Sequence, residues 1–587
     1  MKKYLIIILF LTTFSCAEDM LDRQPLDVMT ENVVWTDPAL ISSYLNGIYA
    51  DVPFVFNDAV DWSSGWDLTL SRPGQATAMS DEARYALWGA QPQFKLGTLN
   101  STGGLLEFWG YDVIRRTNDF IERVSASTSV DEAFKKTKIA EARFLRAYMY
   151  FLMVKRYGGV PLITKAQKND DPEAELYPKR NKEDEIYSFI MTECDACATD
   201  LPPSSEYGRA TTFAALALKS RAALYAASIA KWGQVQLDGV VGIPNAKSDS
   251  YWQMSYNASK QIIESAKFAL YNKYPSDKAL NYQNIWLDER NIEVIFAKQY
   301  TGVGGVAHNF TFPEVPNYKH PWGGGIGTRP YLEMLEEYEN ADGTPGISRA
   351  ELTSKLWTPE ELWGKKDPRF HGSLYTQGTP WIDITLSMYR GIQDENGNIL
   401  LTAYKGINPE GTNSSGNAPF GILKFLAPKL TQFPDFGDVD WVVFRYGEIL
   451  LNFAEAAFEL NKTGEALDAV NQIRNRAGIT ALASVTRDAI RHERKIELAF
   501  ERHRYWDLRR WRTATTALSR DFTSFNYVLD YTTYVLDNTN PKFRIQLVEK
   551  IDGATSSPLF MEKHYYLPIT PDRIANNKNL IENPGYN

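Results

Sequence analysis

The sequence of 587 residues has no cluster of basic residues, and we expect no segment of it to be long and apolar enough to cross a membrane. Its formal net charge is −9, from 72 acidic and 63 basic side chains. Proteins that bind nucleic acids or anionic lipid headgroups concentrate lysine and arginine in runs or patches. The charge balance therefore argues against both kinds of partner, and we expect no nucleic acid ligand.

Cysteine is also scarce, with three residues in the whole chain. Two of them, Cys194 and Cys197, form a single CxxC motif in the helical-looking segment EIYSFIMTECDACATDL. A zinc site would need a second Cys or His pair, and none of the six histidines is near in sequence. A redox dithiol usually lies at a strand-to-helix junction. We therefore expect two cysteines on a helix face, free or joined to each other after export, and neither a metal nor a cofactor.

The third cysteine, Cys16, follows a short secretion signal. Two lysines precede the apolar run LIIILFL, which is too short to span a bilayer and predicts a cleaved leader over residues 1–15. Ser15 before Cys16 is typical of a bacterial lipoprotein box, although Thr13 stands where leucine is usual. The acidic residues that follow resemble the signal that directs some outer-membrane lipoproteins to the cell surface. An acylated Cys16 would then be the only membrane contact; an ordinary signal cut nearby is the alternative.

Apolar periodicity and helix-start signals predict a helical frame. The predicted helices lie near residues 36–50, 105–124, 131–157, 182–200, 210–232 and 250–271, and helical periodicity resumes over 441–512. Asp37-Pro38 is a helix start with proline just inside, and Gly478 supplies a left-handed C-cap. Antiparallel helices joined by short loops form the hairpins of helical-repeat scaffolds, although no strict tetratricopeptide repeat is visible.

Two long segments differ from the helical ones in composition and predict ligand-facing loops. Residues 51–105 are rich in glycine, serine, proline and aromatics, and residues 276–440 alternate short β-rich runs with Gly/Pro-rich stretches. Loops this long in a compact protein usually carry function. Within the second segment, Asn396-Gly397 predicts a hairpin, and this turn explains Asp394 and Asn398 better than a calcium loop, whose terminal acid is missing. Residues 560–587 predict an extended tail.

The segment IRHERKIELAFER offers two catalytic interpretations, and both are weak. His492-Glu493 starts a metalloprotease pattern, but Ile496 stands where the second zinc ligand is required. Glu493, Glu497 and Glu501 share one predicted helical face, and paired carboxylates can hydrolyse glycosides. Arginines at 494, 502 and 504 interleave with them, however, which favours ion pairs that fix helix packing. We find no neighbour that would raise the pKa of any of these acids.

Four segments, in order along nearly all of the mature chain, resemble the SusD/RagB family of outer-membrane glycan-binding lipoproteins. These segments are MLDRQPLDVMTENVVWTDPALISSYLNGIY, EARFLRAYMYFLMVKRYGGVPLIT, RYGEILLNFAEAAFELN with ERKIELAFERHRYWDLRRW, and LPITPDRIANNKNLIENPGY. The resemblance implies one domain over 16–587, mainly α, built of tetratricopeptide-like helix pairs bearing irregular loops and a few β-hairpins.

The resemblance also implies a function. Members have no catalytic machinery; they bind oligosaccharides at the cell surface as a lid on a TonB-dependent (SusC-like) transporter barrel and pass them on for import. The ligand varies among members, and peptides are suspected for some. We therefore expect a surface-facing outer-membrane lipoprotein that is not an enzyme. A secreted helical glycoside hydrolase and a helical-repeat scaffold that binds proteins or peptides are the alternatives, and the sequence does not identify the glycan.

Loop aromatics are the candidate binding residues. A sugar ring has an apolar C–H face and a rim of hydroxyls, so it is held by flat aromatic platforms with paired polar groups around them. Two polar loops offer this combination, in the regions from which the family draws its glycan-binding aromatics. The predicted ligand residues are Trp62, Trp66, Asp67 and Arg72 in the first loop, and Asn309, Tyr318 and Trp322 in the second. Trp66 and Trp322 are the first choices.

The other tryptophans have less claim to a ligand. Trp88 and Trp381 are further candidates, or they fill the base of a loop. Trp286 is expected in the core. Trp441, Trp506 and Trp511 are expected to pack in the helical scaffold.

Overall fold

The computed structural model describes residues 31–54, 75–85, 97, 99–102, 106–302, 314–316, 327–411, 418–428, 437–552 and 559–586. Within these ranges, ten helices have ten or more residues: α1 Pro38–Asp51, α2 Tyr111–Ala126, α3 Glu132–Tyr157, α4 Glu183–Asp200, α5 Thr212–Trp232, α6 Ser248–Glu264, α7 Lys278–Leu287, α8 Tyr446–Glu459, α9 Thr463–Ala477 and α10 Arg487–Glu497. Shorter helical turns are Glu31–Val34, Gln75–Ala78, Glu173–Leu176, Leu237–Gly239, Asn245–Lys247, Leu332–Glu337, Arg349–Leu352, Pro359–Trp363, Pro368–Ser373, Arg504–Arg510, Ala514–Ala517, Tyr531–Leu536, Glu562–Tyr565 and Pro571–Asn576.

Short strands accompany the helices. They are β1 Ala83–Tyr85, β2 Val294–Lys298, β3 Thr328–Pro330, β4 Leu356–Trp357, β5 Leu374–Thr376, β6 Pro380–Trp381, β7 Ile384–Thr385, β8 Ile392–Gln393, β9 Ile399–Leu400, β10 Phe420–Ile422, β11 Trp441–Arg445, β12 Ser524–Asp530 and β13 Phe543–Val548. Five of them form one sheet in the order β4-β13-β12-β8-β9, and the others pair two by two as β1-β3, β10-β5, β11-β2 and β6-β7.

The helices pack in sequence, each against the next, from α2 to α6. Helix α6 then packs against α8, which contacts α9 and α10. The run of successively packed helices is therefore interrupted after α6 by a segment that contains the short helix α7, and it resumes with α8, which packs against α6. The expectation that no segment of the mature chain is long and apolar enough to cross a membrane is wrong for α5, which meets the requirement by length and composition. However, 94% of the apolar window of α5 is buried inside the protein.

Local signals place the helix ends well. Asp37 caps α1 through its side chain, which accepts from the amide of Ala39 at 2.7 Å, and Pro38 is the first helical residue. Gly478 ends α9 with φ 79° and ψ 28°, the left-handed conformation that glycine adopts without strain. The predicted Asn396-Gly397 hairpin is confirmed: β8 and β9 pair antiparallel around it, and Asp394 accepts the amides of Asn396 and Asn398.

Two predictions over 441–512 need correction. Residues 441–445 form strand β11 rather than helix, because their backbone pairs antiparallel with β2. Helix α10 ends at Glu497, and the backbone at Phe500 and Arg502 has φ of 65° and 67°. Glu501 therefore does not continue the helical face of Glu493 and Glu497. At the other end of the frame, α2 begins at Tyr111 rather than near residue 105.

The two cysteines of α4 lie in the core. Cys194 and Cys197 are buried and are not linked to each other. No group of metal-ligating side chains occurs among the described residues. The thiols thus pack as small apolar groups on the inner face of the helix.

Candidate functional site

The predicted ligand residues lie outside the described residues, and so does the predicted lipid-attachment residue. They are Trp62, Trp66, Asp67, Arg72, Asn309, Tyr318, Trp322 and Cys16. Trp88 lies outside them as well. The structure does describe where the ligand-bearing segments leave and rejoin the scaffold, and the site is built from these positions.

Both aromatic loops start from one aromatic contact. Phe54 is the last described residue before segment 55–74, and Phe296 lies in β2, shortly before segment 303–313. The two rings meet edge to face with centroids 5.0 Å apart, and Phe54 also packs on Tyr148 of α3 at 4.9 Å. Both phenylalanines are buried, so burial of apolar area fixes the two starting points together.

Strand pairing brings further loop ends to the same place. Strand β2 pairs antiparallel with β11, with Trp441 opposite Lys298. Trp441 is half-buried, and the guanidinium of Arg502 lies 4.5 Å from its ring centroid. We call Phe54, Leu106, β2 and β11 the loop junction. Segment 51–105 begins beside Phe54 and ends before Leu106, and segment 276–440 contains β2 and ends before β11.

A second contact joins the loops on their other side. Strands β1 and β3 pair antiparallel, with Tyr85 opposite Thr328 and Ala83 opposite Pro330. Segment 86–96 follows the last residue of β1, and segment 317–326 comes just before β3. Both segments therefore join the same end of the β1–β3 pair. Since Gln75–Ala78 directly precedes β1, the loop predicted to carry Trp62 and Trp66 returns to the scaffold beside the loop predicted to carry Trp322.

The buried carboxyl group of Glu314 holds the two sides of segment 317–326 together by bonding to Thr328. Glu314 accepts the amide and the hydroxyl of Thr328, both at 2.8 Å, and Tyr375 donates its hydroxyl to the Glu314 carbonyl at 2.9 Å. A Cβ at Gly327 would lie 2.3 Å from Oε1 of Glu314, so only glycine fits there. Burial raises the pKa of Glu314 to about 7, although Arg329 opposes the shift.

A cleft of about 370 Å³ lies at the loop junction. Its walls combine aromatic rings with amides and cations: Tyr49, Phe54, Tyr207, Phe296, Asn46, Arg209, Lys298 and Gln299. The guanidinium of Arg209 lies 5.1 Å from the ring centroid of Tyr49, donates to Glu141 at 3.1 Å, and also donates to Asn46. Half-buried rings beside amide and guanidinium groups are suited to a sugar ring and its hydroxyls.

Tyr207 and Arg209 are site residues that the sequence analysis missed. They lie in the polar connection SSEYGRATT between α4 and α5, which separates two strongly periodic helices. A tyrosine and an arginine around a glycine in such a connection were the available signal. Their position at the loop junction depends on tertiary packing, which a local pattern does not reveal.

The remaining tryptophans fall mostly where they were expected. Trp286, Trp506 and Trp511 are buried in the core. Trp381 is also buried, in a small apolar cluster with Val315, directly after Glu314. It therefore fills the base of a loop and presents no platform for a ligand.

The glutamates of the HERKI segment form ion pairs, as predicted, but with other partners. Glu493 pairs with Arg369 at 2.6 Å and with Arg474 at 3.0 Å. Glu497 pairs with Arg369 at 2.9 Å, with Arg445 at 2.8 Å and with Arg476. The interleaved arginines pair elsewhere, Arg494 with Asp507 and Arg504 with Asp81. The partners of Glu493 and Glu497 are buried, and these ion pairs tie four chain segments together.

The electrostatics of Glu501 do not favour a general acid. Burial would raise the pKa of Glu501, but Arg445 and Lys424, each 2.7 Å away, hold it below its ordinary value. Three other buried carboxyls behave differently from Glu501: burial raises the pKa of Glu82, Glu183 and Glu314 to about 7. Glu82 and Glu314 accept backbone amides, from Phe500 and Thr328, so both hold backbone segments in place.

Comparison with known families now identifies the chain. The model of the SusD family matches residues 292–586, and a second model, described as starch-binding associating with outer membrane, matches residues 100–224. The chain belongs to the SusD family. The resemblance inferred from four sequence segments is thus confirmed.

Relatives of this SusD-family chain match over most of their length. A SusD-like protein of Bacteroides ovatus is 24% identical over 523 residues, which are 85% of this chain and 80% of that protein. A SusD-like protein of Formosa agariphila is 23% identical and matches over the full length of both chains.

Solved structures show the same fold. A SusD-like protein of Bacteroides fragilis is 26% identical, with a TM-score of 0.71 over 96% of this chain and all of that one. A second one, described as a SusD-like carbohydrate binding protein of Bacteroides fragilis, is 23% identical, with a TM-score of 0.69 over 94% of this chain and all of that one. The predicted mainly α, SusD-like fold class is therefore confirmed.

Proposed function

We propose that this SusD-family protein binds oligosaccharides at the cell surface without altering them and delivers them to a TonB-dependent outer-membrane transporter. The observation that carries the proposal is the convergence of both aromatic-rich segments on one loop junction. Phe54 and Phe296 join their starts, and the β1–β3 pair joins their ends. Two loops held at both ends in this way have the arrangement that a shared platform for one sugar chain requires.

The proposed ligand contacts are the aromatic residues of these loops. Trp66 and Trp322 would supply the main platforms, with Trp62 and Tyr318 extending them. Asp67, Arg72 and Asn309 would bind the sugar hydroxyls. Family membership supports this assignment, as does the description of one structural relative as a carbohydrate binding protein.

The ion pairs made by three candidate carboxyl groups favour binding without catalysis. The three glutamates that a hydrolase would draw on, Glu493, Glu497 and Glu501, are enclosed in ion pairs with buried cations. Hydrolysis of a glycoside needs one carboxyl group that holds a proton and another that is free to attack or to activate water. Glu497 and Glu501 have pKa values lowered by arginine neighbours and are committed to the scaffold.

The membrane contact in this proposal is a lipid on Cys16. A family description that mentions association with the outer membrane supports this location. The polar residues after Cys16 would act as a tether, so that the helical scaffold can lie as a lid on the transporter barrel.

The test is glycan binding by a double variant. We expect the wild-type protein to retain its cognate glycan on an array with micromolar to millimolar affinity, about −4 to −8 kcal/mol. Trp66→Ala combined with Trp322→Ala should abolish this retention, while the helical circular-dichroism signal is unchanged. Tyr177→Ala is the matched control, because Tyr177 is an exposed aromatic residue of the scaffold.

Three results would contradict the proposal. Retention by the double variant would refute the site assignment, and release of reducing sugar by the purified protein would refute binding without catalysis. Co-purification from detergent-solubilised outer membranes tests the transporter partner, because the TonB-dependent barrel should be retained on the affinity resin together with the tagged protein. A preparation without any barrel protein would argue against the transporter partner.

A further inference from the structure

A pocket of about 430 Å³ lies at the C-terminal end of α5. Trp232, the last residue of α5, lines this pocket, whereas Arg209, which lines the 370 Å³ cleft at the loop junction, lies just before the start of the same helix. The 21 residues of α5 span about 30 Å. The pocket is therefore separate from that cleft, at the opposite end of the scaffold helix.

The walls of the pocket come from four chain segments that are distant in sequence. These segments are 232–241, 512, 562–566 and 584–585. Within the first, Gln236 and Val241 exchange backbone hydrogen bonds of 2.7 and 3.2 Å, which close a tight loop. Buried Glu183 accepts the amide of Gly242 at 2.6 Å and the hydroxyl of Tyr566 at 2.8 Å, so it joins this loop to the C-terminal tail. The walls are thus fixed by the fold before any ligand binds.

Backbone strain at these walls indicates a functional role. Leu237 and Asp238, between Gln236 and Val241, have φ of 50° and 52°, and Arg512 has φ of 56°. Residues with a Cβ rarely adopt this left-handed conformation. Strain of this kind is found chiefly at binding sites and active sites, where the surrounding structure maintains it.

Trp232 offers an aromatic platform in this pocket. Its ring is half-buried, with the guanidinium of Arg491 from α10 at 4.8 Å from the ring centroid. Trp252 of α6 meets the same ring edge to face, with centroids 6.0 Å apart. These contacts hold the ring in place while part of it borders the pocket. A fixed aromatic ring is the surface on which the apolar C–H face of a sugar packs.

Arg512 supplies a fixed donor beside this platform. Its guanidinium lies 4.6 Å from the ring centroid of Tyr565 and 4.9 Å from that of Tyr566. It donates to the Tyr566 hydroxyl at 2.6 Å and to the Arg509 carbonyl at 3.2 Å. A guanidinium has five N–H groups, so donors remain for a ligand.

The rest of the polar lining is accessible from solvent. Gln234, Gln236 and Glu562 are exposed, and Lys563 is half-buried. Within the described ranges of the chain, no side-chain hydrogen bond or ion pair engages any of these four groups. They are hydrated, and the hydroxyls of a ligand can replace that water.

The mixture of these groups favours a neutral sugar. A hydroxyl both donates and accepts, so one sugar can bond to amides, to the Glu562 carboxylate and to the Lys563 ammonium group. An anionic ligand would be repelled by Glu562, and a cationic one by Arg512 and Lys563. The volume of 430 Å³ is within the range of small-molecule sites and admits about one or two sugar rings.

We propose that this pocket is a second glycan-binding site, which takes a neutral sugar unit independently of the aromatic loops. Trp232 stacks on the ring, and Gln234, Gln236 and Arg512 bond to its hydroxyls. With one platform and few exposed polar contacts, the Kd is about 10 mM. Such a complex does not survive the washing of an array, so retention on an array reports on the aromatic loops alone.

Saturation-transfer-difference NMR on the purified full-length protein provides the test. The probes are D-glucose, D-galactose, D-mannose and D-xylose, titrated one at a time. The protein carries Trp66→Ala with Trp322→Ala, which removes the main platforms of the aromatic loops. We expect saturation transfer to at least one of these sugars, with a Kd of about 10 mM.

Further variants in the same background locate the bound sugar. Gln234→Ala combined with Gln236→Ala should weaken its binding about tenfold, since two hydrogen bonds are lost. Trp232→Leu, which keeps an apolar side chain against the scaffold, should abolish binding. Gln261→Ala is the control, because Gln261 is an exposed glutamine of α6 that does not line the pocket, and it should leave the Kd unchanged.

Two results would overturn the inference: no saturation transfer to any of the four sugars, or undiminished transfer in folded variants of Trp232 and of the two glutamines. The proposed function fails separately. Sugar binding that depends on Gln234 and Gln236, with no glycan retained on the array by the wild type, would sustain the pocket and refute the aromatic site. Retention on the array without any sugar bound at the pocket would sustain the aromatic site and overturn the second one.

Discussion

Arg445 and Glu497 form a buried ion pair of 2.8 Å that ties the last residue of β11 to the last residue of α10. The same carboxylate also accepts from Arg369 and Arg476, and Arg445 also donates to Glu293 at 2.7 Å. The strand that completes the loop junction is therefore anchored by charge to the helix that resumes the scaffold. A buried network of this kind stabilises only when it is complete.

Glu497→Gln is expected to lower the free energy of unfolding by about 3–5 kcal/mol, because it leaves three buried arginines with too few negative charges. Urea titration followed by circular dichroism measures the change. Glu264→Gln is the control, since this glutamate is 65% exposed and makes a loose pair of 3.8 Å with Lys260.

The pH dependence separates the lost charge from a packing defect. Arginine neighbours hold the pKa of Glu497 below its ordinary value of 4.5 despite its burial. Its contribution is therefore present above pH 4.5 and is lost as the pH falls below that value, where the unfolded chain binds the proton first. The difference between wild type and Glu497→Gln should shrink below pH 4.5. A difference that is constant with pH would contradict the ion-pair account.

Glu314→Gln should change the pH profile in the opposite sense. The folded state holds the proton of Glu314 up to a pKa of about 7, whereas the unfolded chain releases it near 4.5. Stability that Glu314 contributes at low pH is thus lost as the pH rises from about 4.5 to 7, by about 3 kcal/mol in total. Between pH 5 and pH 8 the free energy of unfolding of Glu314→Gln should therefore fall less than that of the wild type. Parallel stability curves of the two proteins over this range would contradict this account of Glu314.

The cysteines of α4 should not react in the native protein. Burial raises the pKa of Cys197 to about 12 and that of Cys194 well above its ordinary value, so neither forms a thiolate at neutral pH. We expect no reaction with an aromatic disulfide reagent under native conditions and two reactive thiols in guanidinium chloride. An absence of thiols after unfolding would show that export joins the pair, the arrangement that the sequence left open.

Cys16→Ser tests the predicted lipid anchor. Without the thioether that carries the lipid, the protein should leave the membrane fraction and appear in the soluble fraction. Cys197→Ser is the control, because a serine hydroxyl there can donate to the Ala140 carbonyl that now faces the thiol at 3.3 Å. Unchanged fractionation of the Cys16 variant would favour an ordinary signal peptide.

The sequence predicted features that depend on near neighbours. The Asp37 cap, the Gly478 C-cap and the Asn396-Gly397 hairpin are all set by residues within one turn, and all three are confirmed. Strand β11 was assigned to a helix because a short apolar run such as 441–444 fits both periods, and only pairing with β2 decides between them.

Features that depend on distant segments were not predictable. The partners of Glu497 come from positions 369, 445 and 476, and no local pattern selects them over the adjacent arginines. The aromatic residues assigned to the glycan, Trp66 and Trp322 first among them, remain predictions that binding experiments must test.

Phe54 offers a direct test of the loop junction, because its ring joins the starts of both aromatic loops. Phe54→Ala should lower the free energy of unfolding by about 3–5 kcal/mol, as for other buried phenylalanines, and should also weaken glycan retention, since the loops lose their common contact. Phe453→Ala is the matched control. Phe453 is 8% exposed against 7% for Phe54, and its ring stacks on Tyr256 at 4.9 Å, in the contact between α6 and α8. Both variants should lose similar stability in urea, but only Phe54→Ala should lose affinity on the array. Equal retention by the two variants, each measured well below its unfolding temperature, would show that the junction does not position the ligand platforms.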